Sequence, residues 1–118
     1  MSLVVKAKIK DVAKGHNVAG DFAEALSDKV KSLIDDAVKR ADGNGRRTVM
    51  AKDVAHFFGA GKAAENLVVK AAVKDSIKGA NVAGDLAEAL NNVANWLVKV
   101  ACERADANGR KTVMAKDL

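Results

Sequence analysis

The chain contains most of itself twice. Shifted by 64 positions, residues 3–54 align with 67–118 without a gap, and 32 of the 52 aligned positions are identical. Any fold for this chain must therefore use one structural unit two times. The period is longer than most solenoid units, and two copies are too few for an array. An intramolecular pair, each half supplying the core that the other lacks, meets both conditions. The expected organisation is a first repeat over 1–58, a connector over 59–66 (Gly-Ala-Gly-Lys-Ala-Ala-Glu-Asn) and a second repeat over 67–118 with a truncated last helix. Together they form one compact unit.

Composition narrows the class. The 118 residues include no proline, and 49% are hydrophobic with Ala, Leu, Lys and Asp frequent, which points to an all-α fold. The formal charge is +5, and it is shared: 11 basic against 8 acidic residues up to 58, then 9 against 7. Mildly basic halves without a basic tail favour polyanion contact. The single Cys102 cannot form an internal disulfide and fits a reducing compartment. No apolar run reaches membrane-spanning length and the first residues lack a signal-peptide pattern, so a soluble, cytoplasmic location is expected.

Within each copy the hydrophobic spacing predicts a short helix and a long one. Val5, Ile9 and Val12 mark an apolar stripe over residues 3–14, repeated as Val69, Val73 and Ser76/Ile77. Lys6, Lys10 and Lys14 form an i, i+4, i+8 column that returns as Lys70, Lys74 and Lys78, although Lys8 became Ala72. The bland reading of such a column is a solvated face. Gly15 and Gly79 are C-cap candidates for these helices. A long helix is expected from Gly20-Asp21 to about Asp42, with Asp21 complementing its dipole. Phe22, Leu26, Val30, Leu33, Ala37 and Ala41 form its buried stripe, matched by Leu86, Leu90, Leu97, Ala101 and Ala105.

The copies diverge at the middle of this helix, where only Leu33 and Ala37 survive between residues 27 and 39. Lys29, Ser32 and Asp36 become Val93, Trp96 and Val100, an added apolar stripe that has to be covered. It could lie under Phe57, Phe58 and the connector, or form a contact between molecules.

After the long helix comes the best-preserved stretch. Asn44-Gly45-Arg46-Arg47-Thr48-Val49-Met50-Ala51-Lys52-Asp53 returns as Asn108-Gly109-Arg110-Lys111-Thr112-Val113-Met114-Ala115-Lys116-Asp117. Asn44 or Gly45 suits a left-handed cap. Asp42, Asn44 and Asp53 fall at positions 1, 3 and 12 of a calcium loop, but Arg46 and Arg47 then stand where an oxygen ligand and a glycine are required. Phosphate contact suits the residues better: Arg47 or Lys111 projects charge, Thr48 or Thr112 donates a hydroxyl, and turn N–H groups are expected to be available. Val49 and Val113 suit a short extended segment before a helix starting near Ala51. Arg46 and Asp53, seven apart, could clamp that segment with an ion pair, as could Arg110 and Asp117.

These residues resemble the second loop of the histone fold. Archaeal and small bacterial histones carry a Gly-Arg-Lys-Thr-(Val/Ile)-x-Ala-(Lys/Glu)-Asp pattern there, which Gly45–Asp53 and Gly109–Asp117 match nearly throughout. The order short helix, loop, long helix, loop, short helix agrees, and the resemblance spans essentially the whole chain. It implies two tandem histone-fold repeats forming an intramolecular handshake pseudo-dimer, a histone doublet. In it Asn17-Val18-Ala19 would lie beside Arg110 to Val113, and the loop at Asn81 beside the one at Arg47.

The implied partner is double-stranded DNA, held without base readout by Lys6, Lys10, Lys14, Asn17, Arg47, Thr48 and Lys52 of the first copy. The second copy would contribute Lys70, Lys74, Lys78, Asn81, Lys111, Thr112 and Lys116. Arg46–Asp53 and Arg110–Asp117 match the family's structural clamp. Stacking in the family uses an apolar residue and a histidine where this chain has Arg40 and Gly43, or Arg104 and Ala107. Binding or bending by single particles is therefore expected over wrapping by stacked ones, in association with the chromosome or nucleoid.

No nucleophile–base pair and no phosphate-binding glycine loop after a strand suggests an enzyme. His16 and His56 are not repeated and have no ligand-spaced partners, so no metal, cofactor or small-molecule substrate is expected. Cys102, in place of Val38, reads as a buried residue. The rival reading is a histone-fold interaction scaffold that self-associates through Val93, Trp96 and Val100.

Overall fold

The structure, a computed structural model, describes residues 3–54 and 65–118. His56, Phe57, Phe58 and connector residues 59–64 lie outside the described residues. Elements recur with the same lengths in both copies. The first runs α1 (Lys6–Val12), β1 (Asn17–Val18), α2 (Phe22–Gly43), β2 (Thr48–Val49) and a 3-10 turn (Ala51–Asp53). The second runs α3 (Lys70–Ser76), β3 (Asn81–Val82), α4 (Leu86–Ala107), β4 (Thr112–Val113) and a 3-10 turn (Ala115–Asp117).

The long helices carry the core. Each has 22 residues, about 33 Å of helix at the usual rise. All eleven stripe residues expected from the spacing are buried, from Phe22 to Ala41 and from Leu86 to Ala105. The helices touch each other, and each packs against the 3-10 turns of both copies. Neither half encloses its own core: β1 pairs with β4 and β2 with β3, both in parallel, so each first loop lies against the other copy's second loop.

The short helices depart from expectation at both ends. Residues 3–5 are not helical. Val4 bridges Val68 in antiparallel fashion, with Val5 N–H donating to Leu67 C=O (2.6 Å) and Val69 N–H to Leu3 C=O (2.8 Å). Leu3, Val4 and Leu67 are buried there, and so is Ala13, whereas Val5 and Val12 are only half-buried. Pairing across the two copies outweighs an isolated first helical turn, whose N–H groups would have no acceptor. The helices also end early, capped at Ala13 and Ile77. Gly15 and Gly79, at φ 81, turn the following loop instead of capping a helix.

The divergent centre of the long helix is explained by what lies on it. Position 27/91 has one task in both copies. Ser27 Oγ accepts from Leu3 N–H (3.0 Å), and Asn91 Oδ1 accepts from Leu67 N–H (2.7 Å). Position 31/95 has separated. Lys31 is exposed and pairs with Asp35 at 2.8 Å. Asn95 is 3% exposed, donates to the carbonyls of Glu65 (2.9 Å) and Asn91 (2.8 Å), and thereby holds the end of the connector on α4. Val93 lies fully inside the core. Trp96 packs against the core half-buried, and Val100 is half-buried. Of the two covers left open for the Val93/Trp96/Val100 stripe, Val93 takes the internal one and cannot meet a partner, which corrects its place in a docking contact.

Candidate nucleic-acid interface

Each end of the molecule carries one paired-loop site, built by a helix ending and a two-residue ladder. At the end of α2, Asn44 Nδ2 donates to Arg40 C=O (2.8 Å), Gly45 takes φ 70, and Arg46 N–H reaches Ala41 C=O (2.9 Å) while Gly45 N–H reaches Asp42 C=O (3.0 Å). This is a Schellman ending with the left-handed residue at Gly45, and α4 repeats it through Asn108, Gly109 and Arg110. The turn N–H groups of Asn44, Gly45 and Arg46 are thus consumed by helix carbonyls and are not available to an anion. Charge and hydroxyl chemistry at the site must come from the residues that follow.

Those residues are held by the clamp. Arg46 grips Asp53 with two hydrogen bonds, Nη2 to Oδ1 at 2.6 Å and Nη1 to Oδ2 at 2.9 Å, and also reaches Thr48 C=O at 3.2 Å. Arg110 repeats all three bonds with Asp117 and Thr112. Met50 and Met114 N–H donate to the same carboxylates. Asp53 and Asp117 are each 2% exposed. The bidentate guanidinium holds both carboxyls below their ordinary range, Asp117 at about 2, and raises Arg46 and Arg110 further above theirs. Both oxygens of Asp53 are occupied, so the calcium-loop alternative loses its final ligand. Among the described residues no cluster of His, Cys, Asp and Glu could hold a metal ion.

The ladder then sets the neighbours. Thr48 stands opposite Asn81 and Asn17 opposite Thr112. Asn81 N–H donates to Arg47 C=O (2.7 Å), and Asn17 N–H to Lys111 C=O (2.8 Å). Arg47, Lys111, Asn17 and Asn81 are exposed, and Thr48 and Thr112 are half-buried. One end therefore joins Arg47, Thr48 and Asn81, with Lys78 in the loop leading to Asn81. The other joins Lys111, Thr112 and Asn17, preceded by Lys14. Lys6 and Lys10 are exposed on α1, as Lys70 and Lys74 are on α3. Lys14 and Lys78 lie beyond the helix ends, so the expected three-lysine column is two helical lysines and one loop lysine. Lys52 and Lys116 are exposed on the 3-10 turns, the only helical structure seen after Val49 and Val113 among the described residues.

Three supporting contacts were not anticipated. Arg40 and Arg104 each donate from Nη1 to the carbonyl of Asp53 or Asp117, at 2.8 and 2.7 Å, tying the long helix to the turn. Asp85 does not bond its own helix N-terminus but accepts from Ala51 N–H in the other copy (3.1 Å). His16 joins Asp106 across the copies at 2.7 Å. The repetition of Arg40 and Asp85 was a visible signal for the first two. His16 gave none, because it is unrepeated. Cys102 is buried, and its apolar surroundings raise the thiol above its ordinary pKa.

No family model matches the sequence, and no curated protein matches it. The fold has a solved counterpart. The crystal structure of the histone from Methanopyrus kandleri superposes with a TM-score of 0.68 over 97% of this chain and 89% of that one, at 20% identity. The chain thus has a histone-like, mostly helical fold. No helix among the described residues is long and apolar enough to cross a membrane.

Proposed function

We propose that this chain is a histone doublet, with repeats 1–58 and 67–118 joined by 59–66 and closed on each other as an intramolecular handshake pseudo-dimer. Its function is to bind double-stranded DNA through backbone phosphates, bending or compacting it as an architectural protein of the chromosome or nucleoid. The observation that carries this reading is the construction of two cationic loop sites, Arg47/Thr48/Asn81 and Lys111/Thr112/Asn17, each assembled from both copies and each stiffened by an arginine clamped on a buried aspartate. Exposed Lys6, Lys10, Lys14, Lys70, Lys74, Lys78, Lys52 and Lys116 extend the positive surface. That the structural counterpart is a histone agrees with it.

Such a surface reads phosphate spacing and no base edges. With about six phosphates engaged, log affinity should fall with log salt at a slope near −5. Reversing charge at both sites (Arg47→Glu with Lys111→Glu) should abolish duplex binding in a gel shift and leave the helical circular dichroism unchanged. Salt-independent binding, or a strong base preference, would overturn the reading. The scaffold alternative is weakened by the burial of Val93, which leaves Trp96 and Val100 half-buried and no continuous stripe.

A further inference from the structure

The two loop sites share their backbone but differ in one side chain. Position 16 is His and its equivalent 80 is Ala, while Asp106 and its equivalent Asp42 both stand at the end of a long helix. At the first end His16 fills the gap between the copies, with only 15% of its side chain exposed. Its Nε2 lies 2.7 Å from Asp106 Oδ1 and its Nδ1 lies 3.2 Å from the Lys14 carbonyl. At the second end the corresponding place is an open notch lined by Arg47, Gly79, Ala80 and Asn81.

Both partners of the imidazole are acceptors. A carbonyl cannot donate, and neither can an ionised carboxylate, so both hydrogen bonds form together only when both ring nitrogens carry hydrogen. The geometry therefore calls for imidazolium. We infer that His16 and Asp106 form a proton-gated latch at one of the two phosphate sites, making the Lys111 end of the particle pH-sensitive and the Arg47 end not. This inference rests on the DNA-binding reading and specifies how that site is regulated.

The charged groups facing His16 are Asp106 from α4, Lys14 from its own loop and Lys111 from the opposing loop. With the proton in place this end carries Lys14, Lys111 and imidazolium against Asp106, a balance of three minus one. Without it the balance is two minus one, the same as Lys78 and Arg47 against Asp42 at the other end. The hydrogen bond to Asp106, then that to the Lys14 carbonyl, raise the pKa of His16 above 6.5, opposed by partial burial and by Lys111. The latch is thus complete below the ordinary histidine pKa and is lost as pH rises through the raised value. Deprotonation breaks one of the two bonds and returns a negative carboxylate to the neighbourhood of Lys111, where a phosphate would sit.

Anisotropy titrations of a short random-sequence duplex at constant ionic strength, from about pH 5.5 to 8.5, test the gate. Affinity of the unaltered protein should fall roughly fivefold as His16 loses its proton, about the effect of one fewer neutralising charge. His16→Ala, which copies the second end, should bind with no such step. Proton NMR of the two histidines supplies a readout that needs no DNA: His16 should titrate above the ordinary value, and Asp106→Asn should lower it. An unchanged pH step in His16→Ala, or a His16 pKa insensitive to Asp106→Asn, would overturn the gate even with DNA binding intact. Absence of duplex binding at every pH, with His16 still titrating high, would instead sink the DNA-binding reading and the gate with it.

Discussion

The second-loop region and the middle of the long helix occupy the same chain, yet the two copies treat them differently. From Asn44 to Asp53 the first copy differs from the second at one position in ten, Arg47 against Lys111, which keeps the charge. From residue 27 to 39 only two of thirteen positions agree. The loops are bound by identical geometry at both ends: a Schellman turn, a bidentate clamp, a carbonyl held by Arg40 or Arg104, and a parallel ladder to the other copy. The helix centres have unequal neighbours. The segment at Glu65 rests on Asn91 and Asn95 of α4, whereas the same positions of α2 are Ser27 and Lys31, and Lys31 faces solvent. The two copies stay alike where their contacts are alike and part where the segment at Glu65 rests on α4.

The largest test of that comparison is whether the halves share a core at all. Phe22→Ala removes a fully buried ring from the first copy and should cost about 3–5 kcal/mol. Trp96 belongs to the second copy. Its fluorescence and the far-ultraviolet circular dichroism should nevertheless move together to lower denaturant, because the core is common to both copies. A Trp96 transition unmoved by Phe22→Ala would separate the halves.

Next in size is the acid behaviour of the clamps. Because the folded carboxyl of Asp117 sits at about 2 against an ordinary 3.8, its stabilising contribution is complete above the ordinary value and is lost as pH falls towards 2. Asp53 shifts in the same direction. The melting temperature should therefore drop between about pH 4 and 2, and Asp117→Asn should flatten part of that drop while lowering stability at neutral pH. An acid profile unaffected by Asp117→Asn would remove the clamp from the account.

Smaller, and aimed at the asymmetric region, is a pair of substitutions at one repeat position. Asn95→Ala should cost about 1–3 kcal/mol because Glu65 and Asn91 carbonyls lose a buried donor. Lys31→Ala should stay within about 0.5 kcal/mol, since its ion pair with Asp35 is exposed. Equal costs in thermal melts would mean that the connector does not distinguish the copies.

Much of the loop site was legible because its chemistry is local in sequence. Arg46 and Asp53 are seven residues apart, and that spacing already suggested their pairing. Other features were hidden by distance. His16 and Asp106 are 90 residues apart, and Ala51 and Asp85 are 34 apart. The lysine column was overextended for a related reason: periodicity continues the helix through Lys14, but the Val4–Val68 bridge and the loop ladder fix where α1 can begin and end. Apolar spacing shows that Val93 has to be covered but not by what, because its equivalent Lys29 is charged; the packing of α4 places it inside the core.

The sequence alone determined that one helical unit is used twice, which face of each long helix is buried, and where the cationic loops lie. Those properties follow from the repeat offset, and from apolar spacing and short-range polar pairs that act within a few turns of chain. Tertiary structure decided which loop meets which, that the turn N–H groups are already spent on helix carbonyls, and that the two ends differ by a histidine held between two acceptors. The loop pairing and the histidine contact depend on atoms brought together across the copies, whereas the turn N–H groups are spent within one copy by the backbone geometry of the helix ending.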